Sequence, residues 1–174
     1  ADWSPDGKDL AIVRVAEAEY QLEYRMGTVL YKAPGGISDI RVSPKGDSVA
    51  FIDEQFLGSR SGAIMVVDRG GNKRMLSAGW RSTVSLAWAP TGDEVWFSSG
   101  KGDGTALYAV TTSGRERLVF QAPGNLTLHD ISSDGRVLLH RGVPYTRMMV
   151  GSTFGSEKDQ LLSWYDYSTS ADIW

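Results

Sequence analysis

Four copies of one short turn pattern punctuate this chain. Ser4-Pro5-Asp6-Gly7, Ser43-Pro44-Lys45-Gly46, Ala89-Pro90-Thr91-Gly92 and Ser132-Ser133-Asp134-Gly135 each separate two apolar runs. Their first residues lie 39, 46 and 43 positions apart. A period of this size marks a stack of supersecondary units, none of which buries its own faces alone. Proline presets the backbone angle of a type I turn. Glycine then supplies the positive φ that closes a three-residue hairpin with a bulge.

Strands flank every turn. Before the turns stand Ala1–Trp3, Ile40–Val42, Val84–Trp88 and Leu128–Ile131; after them come Leu10–Val15, Val49–Ile52, Val95–Phe97 and Val137–Leu139. The second set is apolar on both faces and rich in β-branched or aromatic residues, so both faces must be covered. Third strands are expected at Leu22–Met26, Ala63–Val67, Ala106–Val110 and Arg147–Val150. Fourth strands are expected at Thr28–Tyr31, Lys73–Leu76, Arg115–Phe120 and Gln160–Ser163. Four strands per unit, with doubly covered inner strands, describe the blade of a β-propeller. No long stretch carries a capped 3.6-residue period, so a helical solenoid fits poorly; a β-sandwich is the open alternative, but it would not require a repeated turn at this spacing.

The expected architecture is all-β: a β-propeller segment of four four-stranded antiparallel blades. The blades cover about 1–36, 37–80, 81–124 and 125–170, within one region spanning 1–174. Ala171-Asp172-Ile173 repeats the opening Ala1-Asp2-Trp3, so a further unit begins at 171–174. The segment is expected to belong to a larger ring or to be completed by oligomerisation, for instance a homodimer closing 4 + 4 blades, because exposed sheet faces and edges favour association.

Charge and composition exclude several functions. The 174 residues carry 18 basic and 21 acidic side chains, a net charge of −3, which argues against a nucleic-acid partner. The chain has no cysteine, so disulfides, thiolate catalysis and zinc ribbons are excluded. No apolar stretch approaches the ~20 residues of a membrane-spanning helix, so membrane insertion is not expected.

The phrases Trp3-Ser4-Pro5-Asp6-Gly7-Lys8-Asp9-Leu10-Ala11, Val42-Ser43-Pro44-Lys45-Gly46-Asp47-Ser48-Val49-Ala50-Phe51 and Trp88-Ala89-Pro90-Thr91-Gly92-Asp93-Glu94-Val95-Trp96-Phe97 resemble the WD40-like propeller repeat of the TolB family. Ile131-Ser132-Ser133-Asp134-Gly135-Arg136-Val137-Leu138 is a weaker copy, with Ser133 in place of proline. The resemblance implies a propeller, typically of roughly six to eight blades. It is specific for the fold and not for function; the role expected here is a non-catalytic protein- or peptide-binding scaffold that presents a loop-built face. The same repeat occurs in propellers of prolyl-oligopeptidase-like peptidases and of bacterial Ser/Thr kinase-linked proteins. The closing Leu162-Ser163-Trp164-Tyr165-Asp166-Tyr167 is most similar to the kinase-linked group, where the module would act as a sensor region. The alternatives are the accessory propeller of a peptidase, or an excised or engineered fragment with no independent function.

Few residues suggest chemistry. His129 and His140 lack further ligands at metal-site spacing, and read as ordinary strand residues. Asp6, Asp47, Asp93 and Asp134 recur beside the turns, where side-chain to backbone bonding explains them without calcium. Asp53 and Glu54 are adjacent on a strand and point to opposite faces. Ser59, Ser61, Ser99 and Ser113 sit in no nucleophile elbow. Gly151–Ser156 lacks the lysine and following helix of a phosphate loop. No catalytic residue, metal or cofactor is expected. Propeller geometry instead gathers the blade crossings and the loops between second and third strands on one face. Phe56, Arg60, Trp80, Arg81, Lys101, Arg141 and Tyr145 are the binding residues expected there, since aromatic and arginine side chains are typical anchors.

Overall fold

The computed structural model describes residues 1–102, 104–142, 149–150 and 160–161. They fall into two compact units, Ala1–Arg141 and Gly142–Trp174. Every regular element among the described residues is a strand. No helix among them is long and apolar enough to cross a membrane.

The first unit holds three complete blades. β1 (Asp2–Trp3), β2 (Leu10–Ala16), β3 (Glu19–Tyr24) and β4 (Val29–Ala33) form the first. β5 (Gly36–Val42), β6 (Ser48–Glu54), β7 (Gly62–Asp68) and β8 (Lys73–Ser77) form the second. β9 (Ser82–Trp88), β10 (Glu94–Gly100), β11 (Ala106–Thr111) and β12 (Glu116–Phe120) form the third. Each is an antiparallel sheet whose strands pair in chain order. β13 (Asn125–Ile131) and β14 (Val137–Gly142) pair as the opening of a fourth. In the second unit, β15 (Met149–Val150) and β16 (Gln160–Leu161) pair antiparallel. The chain is therefore an all-β propeller whose ring is incomplete.

The turn pattern folds for the expected reasons. Gly7, Gly46, Gly92 and Gly135 adopt φ of 68°, 69°, 73° and 83°, and each donates its N–H to the first residue of its turn. The loop length differs from the three-residue expectation in three copies. Ser4 N–H reaches Asp9 O at 2.8 Å, Ser43 reaches Ser48 at 2.9 Å and Ala89 reaches Glu94 at 2.9 Å, leaving four loop residues in each. Only Ser132, bonded to Arg136 O at 2.9 Å, closes three. The cause lies in the sequence: two residues separate glycine from the next apolar residue in the first three copies, and one in the last. The turn aspartates are engaged locally. Ser4 donates to Asp6 at 2.6 Å and Ser43 to Asp47 at 2.7 Å, while Thr91 donates to Asp93 and Ser132 to Asp134. These hydroxyls are the main cause that holds the carboxyls of Asp6, Asp47 and Asp134 below the usual range.

The cores lie at the seams between blades. Ala11, Leu22 and Tyr24 of the first blade pack on Val49, Phe51 and Val67 of the second. Ile52, Ile64 and Leu76 of the second meet Leu86, Val95 and Phe97 of the third. Ala87 and Leu107 of the third meet Leu128 of β13. Phe51, Phe97, Leu22 and Ile64 are fully buried, each contributing about 1.5–3 kcal/mol of transfer free energy. Polar bonds key each seam. Asp2 Oδ2 accepts the N–H of Val42 at 2.7 Å, and the Trp88 indole donates to Arg41 O at 3.0 Å.

Candidate functional site

Chain-order pairing places the Pro/Gly turns at one end of each blade in the first unit. The loops between second and third strands, and the crossings between blades, emerge at the other end. Glu54, at the end of β6, organises the first of these loops. Its Oε2 accepts the N–H of Gly58 at 2.6 Å, and its Oε1 accepts the Ser38 hydroxyl at 2.5 Å. This buried carboxylate holds the loop so that Phe56 and Leu57 stand 62% and 57% exposed at its tip. Two such apolar side chains presented on a fixed scaffold can anchor a partner.

The innermost strands β5, β9 and β13 bound a cleft of about 570 Å³, lined by Ser38, Asp39, Arg60, Thr83, Asn125 and Thr127 among others. Its lining is hydroxyl-rich, with two carboxylates, Asp39 and Glu54, and one guanidinium, Arg60. Asp39 occupies a break in the β5–β6 register, with φ of 51°. Burial pushes its carboxyl up, while Arg41, the N–H of Leu86 and His129 pull it back. The Arg41 guanidinium stands 3.4 Å from it. Arg60 also adopts a positive φ, 56°, and its carbonyl accepts the N–H of Thr83 at 2.5 Å.

A second cleft, of about 680 Å³, opens between the start of the β10–β11 loop and the crossing into β13. Lys101, Tyr108, Gln121 and Pro123 are among its walls. Thr105 lines both clefts, so the two adjoin. The Thr105 hydroxyl donates to Leu126 O at 2.6 Å and accepts the Leu126 N–H at 2.8 Å, which fixes the partition between them.

The structure brings some of the expected binding residues together. Arg60 lines the inner cleft and Lys101 the outer one. The backbone N–H of Arg81 donates to Gly100 O at 3.1 Å, and the Arg141 guanidinium donates to Pro123 O at 2.9 Å; both acceptors lie in the wall of the outer cleft. Arg60, Arg81, Lys101 and Arg141 are all exposed, so this end is rimmed by cations. Phe56 is exposed at the loop tip. Tyr145 lies outside the described residues.

Trp80 departs from expectation. Its place in a blade crossing predicts a surface position, but it is only 5% exposed and packs against Phe97 and Tyr108 at centroid distances of 5.4 and 4.5 Å. Its indole N–H donates to the Ser77 hydroxyl at 2.7 Å, and Ser77 donates to Glu116 at 2.6 Å. A large aromatic ring with its one donor satisfied gains more inside the seam than on a loop surface. Lys101 lies over its outer face, with Nζ 4.7 Å from the ring centroid, so Trp80 supports the site from beneath.

His129 and His140 are exposed on β13 and β14 with ring centroids 6.4 Å apart. Asp53 accepts the Tyr31 hydroxyl at 2.6 Å while Glu54 accepts from Gly58 of its loop and from Ser38 of β5, so the adjacent carboxylates serve different contacts. Sequence reasoning does not single out the inner-cleft residues Asp39, Thr105, Asn125 and Thr127. Their one signal is the placement of polar residues at strand ends that face the propeller centre.

No protein-family model matches the chain, and no curated protein is significantly similar to it. Solved structures are similar. TolB from Acinetobacter baumannii superposes with a TM-score of 0.68 at 18% identity, over 93% of this chain and 42% of that one. A TolB candidate from Agrobacterium tumefaciens gives 0.55 at 21% identity, over 84% of this chain and 62% of that one. A structure from a study of two prolyl endopeptidases gives 0.56 at 16% identity, over 89% of this chain and 29% of that one. The chain thus spans less than two thirds of the length of each. These likenesses establish the fold, that of a TolB-like β-propeller.

Proposed function

We propose that this propeller is a non-catalytic module that binds a protein or peptide segment across its loop-bearing end. The observation that carries the reading is the pair of adjoining clefts divided by Thr105, rimmed by arginine and lysine and flanked by exposed Phe56. The cationic rim favours a segment bearing carboxylates. The apolar loop tip gives that segment an anchor, and the hydroxyls of the inner cleft offer hydrogen bonds to an extended main chain. Joined to another domain, such a module serves as a sensor or scaffold, with a Ser/Thr kinase the leading candidate. We also propose that its uncovered blade faces are closed by a second copy of the chain.

Selection of a random displayed-peptide library on the protein tests the binding reading. Peptides rich in Asp and Glu are expected, with affinity falling at least tenfold in Phe56→Ala and in Arg60→Ala/Lys101→Ala. Selected peptides that bind these variants as tightly as the parent would sink the assignment. A second reading, the accessory propeller of a peptidase, is favoured by the structural likeness to a prolyl endopeptidase. There the propeller controls access to a catalytic domain. A Gly-x-Ser-x-Gly segment in a longer reading frame supports that reading, and a kinase Asp-Phe-Gly segment supports the sensor reading.

A further inference from the structure

We propose that the turn-bearing end of the propeller carries a second binding site, a small apolar cleft with two carboxylates that takes an arginine side chain presented by a partner protein. It lies at the opposite end from the loop-built clefts and does not depend on what they bind.

The turns themselves build its wall. Pro5, Pro44 and Pro90 hold the second position of the first three turns, and all three line a cleft of about 310 Å³. The turns stack closely. A Cβ placed on Gly46 would lie 3.3 Å from Pro5 Cδ, and one on Gly92 would lie 3.6 Å from Pro44 Cδ. The first two proline rings therefore rest on the glycine of the next turn, which sets the wall before any ligand arrives. Val42, Trp88 and Ile131, the residues just before the turns, complete the apolar lining. Val42 and Trp88 are buried, and the Trp88 indole is fixed by its bond to Arg41 O at 3.0 Å. The wall is made from the ends of the innermost strands and their turns. These border the propeller axis whatever number of blades completes the ring.

Charge decides the occupant. Asp2 and Asp130 both belong to the lining. Asp2 uses Oδ2 on the N–H of Val42 at 2.7 Å, and Asp130 uses Oδ1 on the N–H of Ile131 at 2.8 Å. Each keeps a second oxygen, and neither is in an ion pair among the described residues. Arg41, the base in the lining, is already engaged. Its Nη1 donates to Ile40 O at 3.0 Å and stands 3.4 Å from Asp39, which lines the inner cleft instead. The turn-end cleft is thus apolar and carries an unbalanced negative charge.

That combination selects a cation on an apolar stem. Arginine suits it better than lysine. The planar guanidinium is weakly hydrated, lies flat against rings and offers a fork of donors for charge-assisted bonds to both carboxylates. The volume stands at the low end of the roughly 300–1,000 Å³ of ligand pockets, which fits one long side chain and its immediate neighbours.

Selection of a random displayed-peptide library on the Arg60→Ala/Lys101→Ala variant tests the site, because that variant lacks two cations of the other end. Arginine-bearing peptides are expected. Their affinity should fall at least tenfold when arginine is replaced by citrulline, its uncharged isostere. It should fall as much when Asp2→Asn and Asp130→Asn are added to the variant. Asparagine at position 2 keeps an acceptor for the Val42 N–H, and circular dichroism checks the fold. The Trp88 indole N–H resonance, assigned by its loss in Trp88→Phe, should shift on peptide addition. A selected pool without arginine enrichment overturns the proposal. So do arginine peptides that bind as tightly after Asp2→Asn and Asp130→Asn, or that leave the Trp88 resonance unmoved. The loop-bearing end is tested separately, by acidic peptides selected on the parent chain, so the two readings fail independently.

Discussion

The hydroxyl of Tyr31 on β4 donates to Asp53 Oδ2 on β6 at 2.6 Å, joining the outer part of the first blade to the middle of the second. The ring also packs on Phe51, with centroids 4.9 Å apart, and lies beneath Lys73 Nζ at 5.0 Å. Burial first, and then the bond and charge of Asp53, push the phenol above its ordinary range. The native state therefore holds this proton more tightly than the unfolded chain. Stability from the contact is complete below the unfolded pKa of about 10 and is lost as pH rises through the higher native value. Tyr31→Phe should lower stability at neutral pH by about 0.5–1.5 kcal/mol and flatten the alkaline decline. Urea midpoints measured from about pH 7 to about pH 11 check both, and an unchanged alkaline slope in the variant would refute the assignment.

Asp39 combines a left-handed backbone with a side chain only 18% exposed. Because burial raises its carboxyl, the native state binds the proton more tightly than the unfolded state does. Its stabilising contribution is present below the unfolded pKa, about 3.9, and is lost as pH rises through the native value. Asparagine tolerates the left-handed region and keeps an oxygen for the N–H of Leu86. Asp39→Asn should therefore melt higher than the parent at neutral pH, by roughly 2–4 °C for each kcal/mol gained. The gain should disappear in acid. A variant that melts lower at neutral pH would show that the Arg41 ion pair outweighs desolvation.

Much of this fold is legible in the sequence because its determinants are local. Pro and Gly fix the turn angles, and the apolar runs around Val49–Ile52 and Val95–Phe97 announce strands covered on both sides. The first blade is less legible. β3 begins at Glu19 and β4 runs to Ala33, because the Glu17-Ala18 turn adopts positive φ at both residues without the usual Asn or Gly. Asp39 leaves no local mark, since its register break depends on pairing with β6. The loop-tip position of Phe56 can be read from chain order. The inward turn of Trp80 cannot, because it depends on Ser77, Phe97 and Tyr108, which lie on three different strands or strand ends.

That inward turn changes the expected cost of removing the Trp80 indole. A loop residue could be truncated with little effect on folding. As the wedge in the second seam, Trp80 leaves a cavity between Phe97 and Tyr108 when it is lost, and Ser77 loses its donor. Trp80→Ala should cost about 3–5 kcal/mol, whereas Arg81→Ala, on the exposed side chain next to it, should stay within about 0.5 kcal/mol. Equilibrium denaturation distinguishes the two. Equal midpoints for Trp80→Ala and the parent would place the indole outside the core.

The third seam is held by a shared acceptor arrangement that predicts non-additive mutations. The N–H of Leu128 lies 2.8 Å from Ser98 Oγ and 3.1 Å from Ser85 Oγ, and all three residues are buried. Either hydroxyl alone satisfies the amide. Ser98→Ala or Ser85→Ala should therefore cost little, while the double substitution leaves a buried N–H without a partner, a penalty of about 1–3 kcal/mol. Adjacent serines and threonines do not provide a substitute, because Thr83 Oγ1 and Ser99 Oγ are 3.0 Å apart and Ser99 also donates to Ser82 O at 2.7 Å. A double-mutant cycle read by urea denaturation should give a coupling energy comparable to the double-mutant loss itself. Additive single effects would mean that the two hydroxyls act separately and that Leu128 depends on only one of them.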